Sequence, residues 1–92
     1  MTLALSLRPG QDFYVGDEQF VIESLKGRHT FEVRAVTTGK VHLITEERAI
    51  EVLADVFLSS GGQAKAGLAR IAIEAPPEVL ILRGNRYRGE GS

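Results

Sequence analysis

His29 and His42 are the side chains best suited to proton transfer or metal binding in this chain. They lie far apart. Neither has a second histidine or a carboxylate at the spacing a metal site uses, so each reads as an ordinary strand or turn histidine. Glu46-Glu47 would offer a paired acid and base. Adjacent residues, however, point to opposite faces of a strand and diverge by about 100° on a helix, so the pair reads as a solvated turn. Gly61-Gly62 is followed by Gln63 rather than by lysine and a hydroxyl residue, which excludes a phosphate-binding loop. None of the five serines sits in a G-x-S-x-G turn. Cysteine is absent, which removes thiol nucleophiles, thiolate zinc sites and disulfides. With no catalytic constellation, the expectation is a non-enzyme with no cofactor, no metal and no small-molecule substrate.

The 92 residues carry 11 basic and 12 acidic side chains, a net charge of −1. A protein that coats nucleic acid indiscriminately needs a large positive excess, so that class is excluded. The charge is unevenly spread. Residues 61–92 hold five basic side chains (Lys65, Arg70, Arg83, Arg86, Arg88) against three acidic ones, while the two earlier thirds are net acidic. An anionic partner is therefore expected at the C-terminal third. No apolar run approaches the roughly 18 residues of a membrane helix, and the opening MTLALSLRPG lacks the basic start of a signal peptide. The expectation is a single cytoplasmic domain spanning 1–92, with no membrane partner.

The elements that must position these groups read as short strands. Leu3, Leu5 and Leu7 alternate with Ala4 and Ser6, and Arg8-Pro9-Gly10 ends the run. Phe13 to Val15, Phe20 to Leu25, Thr30 to Thr37 and Val41 to Ile44 follow, separated by turns at Gly16-Asp17-Glu18, Lys26 to His29 and Thr38-Gly39-Lys40. Region 45–60 supports two readings. Thr45 as an N-cap, with Glu47, Glu51 and Asp55 on one stripe, suits a helix whose Ala49, Ile50, Leu53, Val56 and Phe57 face a core. The strand reading is favoured for 48–58, because residues 14–25 echo weakly in 42–53 as a repeated strand–turn–strand unit. Ser59 to Gly67 reads as a hairpin loop. Leu68 to Ala75 alternates, Pro76-Pro77 breaks the ladder, and Val79 to Leu82 is a continuous apolar strand of the kind buried on both faces. Arg83 to Arg88 reads as a short helical turn. The fold class expected is all-β.

Two segments are more specific than the rest. One is Leu3-Ala4-Leu5-Ser6-Leu7-Arg8-Pro9-Gly10 with Val15-Gly16-Asp17-Glu18 behind it. The other runs from Ala69-Arg70-Ile71-Ala72-Ile73-Glu74-Ala75-Pro76-Pro77-Glu78-Val79 through Leu80-Ile81-Leu82-Arg83-Gly84. Together they resemble the carbon storage regulator (CsrA/RsmA) family of bacterial translational regulators. That family opens with L-x-L-[ST]-R-R-x-G-E and an I-G-D turn, and closes with V-R-I-G-[IV]-x-A-P-x-E-V-x-[VI]-x-R. The opening alone also resembles a family of flagellin regulators (FlbT), but the Ala75-Pro76 segment favours the first. Residues of about 30–60 have no counterpart in short members and read as an insertion, a hairpin or a helix.

The resemblance implies a small intertwined antiparallel β homodimer, the first strand of one protomer lying beside the last strand of the other. It implies RNA as partner, with GGA exposed in a hairpin loop. Carried over by motif, Leu5, Ser6 and Arg8 would be first-strand contacts, and Ala75 and Pro76 would offer backbone groups to the bases. Val79, Ile81, Leu82 and Arg83 would be last-strand contacts, with Arg83 the main ionic one. The chain departs from the pattern in three places. The paired arginines become Leu7-Arg8, so that Leu7→Arg would be expected to restore a phosphate contact. The glutamate after the turn becomes Gln11, and the basic C-terminal helix is cut to Arg86, Tyr87 and Arg88. A protein-binding adaptor that has lost RNA is the alternative, with a regulatory protein as its partner. A structural β-barrel subunit of a larger assembly is the third.

Overall fold

A computed structural model describes residues 2–27, 29–62 and 66–89. The chain is all-β, with one short helix among the described residues. The strands are β1 (Thr2–Leu7), β2 (Asp12–Val15), β3 (Glu18–Leu25), β4 (Phe31–Ala35), β5 (Val41–Ile44), β6 (Ile50–Leu53), β7 (Val56–Ser60), β8 (Ala69–Glu74) and β9 (Ile81–Arg83), and the helix is α1 (Gly84–Tyr87). They form two antiparallel sheets, one of four strands in the order β1-β8-β7-β6 and one of five in the order β5-β4-β3-β2-β9.

Period-2 alternation decides which side chains meet between the sheets. Leu5, Leu7, Val56, Leu58, Ala69, Ile71 and Ile73 come from the first sheet, and Phe13, Val15, Phe20, Ile22, Phe31, Val33, Ile44 and Ile81 from the second. All belong to one core. The Phe13 and Phe20 rings stack across β2 and β3 at 5.4 Å.

Turn chemistry follows the residues supplied. Arg8-Pro9-Gly10-Gln11 is a turn closed by the Gln11 N–H on the Arg8 carbonyl at 3.0 Å. Pro9 presets the first central φ, and Gly10 takes the positive φ of 90° that a type II turn requires at the second. The Gln11 side-chain oxygen also accepts from the Arg8 N–H at 2.8 Å. Between β2 and β3, Val15 pairs with Glu18. Of the two turn residues only Gly16 has positive φ, as a II′ hairpin demands.

The strand reading favoured for 48–58 holds, and several other expectations change once the sheets are assembled. Region 45–60 contains no helix: β6 and β7 form a hairpin around Ala54-Asp55, where Asp55 takes φ 62°. Val56, Leu58 and Ser60 alternate inward, a period no helix matches. Thr45 is not an N-cap; its carbonyl accepts from the Ser60 N–H at 3.0 Å. The echo of 14–25 in 42–53 does not produce a second hairpin, because β5 and β6 belong to different sheets. Residues 30–60 supply β4 and β7, each internal to its sheet, and the core side chains Phe31, Val33, Ile44, Val56 and Leu58.

Val79 to Leu82 is not buried on both faces. β9 is a short strand at a sheet edge, with Ile81 inward and Leu80 63% exposed. Leu7 points into the core and is 2% exposed, so Leu7→Arg would drive a guanidinium among apolar side chains rather than toward a phosphate. Among the described residues no helix is long and apolar enough to cross a membrane.

Candidate nucleic-acid interface

β1 and β9 each lie at the edge of a sheet. Arg83, at the end of β9, donates from Nη1 to the Ser6 carbonyl of β1 at 3.0 Å, joining residues 77 positions apart. Edge strands keep a row of backbone N–H and C=O groups outside the ladder, and the Ser6 oxygen belongs to such a row. Beside this junction opens a cavity of about 240 Å³ whose walls include Leu7, Gln11, Asp12, Arg83, Asn85 and Arg88.

α1 forms one side of the cavity because it is clasped to β2. Phe13 and Val15 point inward, so Asp12 and Tyr14 share the outward face of the strand. Arg88 grips Asp12 with both guanidinium nitrogens, at 2.7 Å to Oδ2 and 3.4 Å to Oδ1. Gln19 Nε2 donates to the same Oδ2 at 2.7 Å. Gly84 sits directly on the carboxylate, and a Cβ there would collide with it. Tyr87 stacks on Tyr14 with centroids 3.7 Å apart and planes 8° from parallel. Its hydroxyl donates to Asp17 Oδ1 at 3.0 Å.

The Arg88 guanidinium holds the Asp12 carboxyl below its ordinary value of 3.8, against the opposing effect of burial. Hydrogen bonding to Asp17 raises the Tyr87 phenol above 10.0. Burial, with Lys40 adding to it, lowers the His42 imidazole below 6.5. Because the folded pKa of Asp12 is depressed, its contribution to stability is complete above the unfolded value and is lost as pH falls through the folded one. Thermal melts of wild type and Asp12→Asn between about pH 6 and pH 2 are expected to converge as acid removes the pair. Parallel pH profiles for the two proteins would show that Asp12 contributes nothing to the clasp.

The residues expected from sequence are dispersed. Leu5 and Ile81 are buried in the core. Ser6 and Arg83 meet directly. Arg8 is exposed on the turn that leads into the cavity wall. Leu82 lies opposite Tyr14 on the outward face. Ala75 is buried, and the Pro76 carbonyl accepts from the Val79 N–H at 3.0 Å. Thr2 pairs with Glu74 and Leu7 with Ala69. Ala75 and Pro76 therefore lie at the opposite end of β1 from Arg8, roughly 20 Å away at strand rise. One chain does not bring Ala75 and Pro76 to Arg83.

Sequence reading missed Asp12, Tyr14 and Asn85, and treated Tyr87 and Arg88 only as remnants of a basic helix. The Asp12–Arg88 pair carries no local signal, since its members lie 76 positions apart. The one available hint was that the chain has two tyrosines and no tryptophan. No family model, curated protein or solved structure matches the chain, so the chemistry of this site rests on its own residues.

Proposed function

We propose that this chain binds RNA and regulates translation, recognising a GGA-containing hairpin loop at the junction of β1 and β9. The observation that carries the reading is the Arg83–Ser6 contact at 3.0 Å, which unites the two family-like segments. Unpaired bases are read by edge hydrogen bonds, apolar packing and arginine contacts to phosphate. The junction supplies the outward backbone groups of two edge strands, the amides of Gln11 and Asn85, and the guanidinium of Arg83. Arg8 and Arg86 are exposed nearby in sequence, so the positive charge is local although the chain is net acidic. A homodimer is part of this proposal. Ala75 and Pro76 of a second copy would complete the set that one chain leaves apart, and the exposed Leu80 gains cover.

A gel shift with a GGA hairpin and a loop-mutated control, paired with light scattering, tests this. The expected result is retention of the GGA hairpin at lower protein concentration, weakening as salt rises, by a particle of twice the chain's mass. Equal retention of both hairpins would remove the sequence readout. A monomer that binds would assign the site to one chain.

A protein-binding adaptor is the second reading. Val41 and Leu43, 45% and 52% exposed on edge strand β5, favour it. Failure of both hairpins to bind would leave it in place.

A further inference from the structure

We infer that the stacked Tyr14–Tyr87 pair is a platform for one unpaired nucleobase of the bound RNA, received on the face of Tyr87 that Tyr14 does not cover; this rests on the RNA-binding reading above. Tyr87 is held at two points. Its ring lies against Tyr14 at 3.7 Å and its hydroxyl is fixed on Asp17 at 3.0 Å. It is nevertheless 42% exposed. An aromatic ring whose orientation is already set, and which still faces solvent, gives up little conformational freedom when a planar partner stacks on it. The core does not need it, because the side chains that fill the core come from the opposite face of β2.

The surroundings point to a nucleobase on a charged backbone as the occupant. Arg86 is exposed next to Tyr87 on the one-turn helix, and Arg83 precedes that turn. Aromatic faces flanked by cations are the recurring means of holding single strands, since every base has a π-face and every phosphate a charge. The clasp also sets the spacing. Asp12 and Tyr14 are two positions apart on one strand face, about 7 Å. The cavity beside Asp12 and the ring on Tyr14 are thus close enough for neighbouring nucleotides of one loop.

The two tyrosines of this platform are the only tyrosines in a chain without tryptophan. Tyrosine emission therefore reports the platform alone. Titration of wild type with the GGA hairpin is expected to quench that emission. Tyr87→Leu, which keeps apolar bulk but removes the π-face, should weaken a labelled hairpin by roughly ten- to hundredfold. Tyr87→Phe should recover most of that loss, since it gives up only the Asp17 hydrogen bond.

Abasic substitution at successive loop nucleotides separates a stacking role from a purely structural one. At one position the abasic change should weaken wild type strongly and Tyr87→Leu little further. If the hairpin binds wild type and Tyr87→Leu equally, or if every abasic loss adds in full to the loss in Tyr87→Leu, the platform is refuted while RNA binding stands. If wild type binds no hairpin and its emission does not change, the RNA reading falls and the platform with it. Quenching by a protein partner instead would assign the ring pair to the adaptor.

Discussion

Phe13→Ala is expected to cost about 3–5 kcal/mol of stability, the usual range for emptying a buried phenylalanine site. Phe13 is 0% exposed and stacks on Phe20. It occupies a strand hydrogen-bonded on both sides, to β3 and to β9, so the backbone has little freedom to collapse into the void. A domain of this size has about 5–15 kcal/mol in total, so the loss takes a large fraction of it. Phe13 also lies between Asp12 and Tyr14, and the clasp on α1 depends on the strand it anchors. Urea unfolding is the measurement, with Thr37→Ala as the control. Thr37 is exposed on the turn between β4 and β5, and its truncation should change the midpoint little. A loss below about 1 kcal/mol for Phe13→Ala would be too small for a filled core site and would contradict this packing.

Arg83→Ala is expected to weaken the GGA hairpin by roughly ten- to hundredfold, because a charge-assisted hydrogen bond is worth on the order of 1.5–3 kcal/mol. The fold should survive. The guanidinium is exposed, and it donates to the Ser6 carbonyl on an edge strand. Arg83→Lys should fall between the two, since an ammonium keeps the charge but lacks the planar fork that can hold Ser6 and a phosphate together. Anisotropy of a labelled hairpin across a salt series checks both points: the alanine variant should show lower affinity and a shallower salt dependence. Wild-type binding with no loss in Arg83→Ala would place the RNA elsewhere on the chain.

The extent to which the site was legible differs by residue. Arg83 was visible because it ends an apolar run in the only net-positive third of the sequence. Arg8 was visible as the cation before a Pro-Gly turn. Leu5 and Ile81 were named as contacts from motif position and lie in the core, because a motif records which residue types recur but not which are spent on packing. Leu7 shows the same limit. Its side chain shares a face with Leu5, and that face is the buried one. Asp12 and Gln19 meet within the β2–β3 hairpin, but Arg88 reaches Asp12 from 76 positions away, and nothing in its local sequence marks it as their partner.

Local pattern determined β1 to β5 and β8, their inward faces and the turns at Gly10 and Gly16, because side-chain alternation and the φ requirements of those glycines operate over a few residues. It also determined the all-β class. Tertiary structure alone decided which strands became neighbours: that β1 pairs with β8 rather than β2, that β5 and β6 part into different sheets, and that the apolar run ending at Leu82 becomes an edge strand. The physical reason is that alternation states which residues share a face but not which strand lies alongside. That choice is made by the two sheets enclosing one core and by the entropy of closing the loops between them. The Arg83–Ser6 junction exists only after that choice, since it spans almost the whole chain.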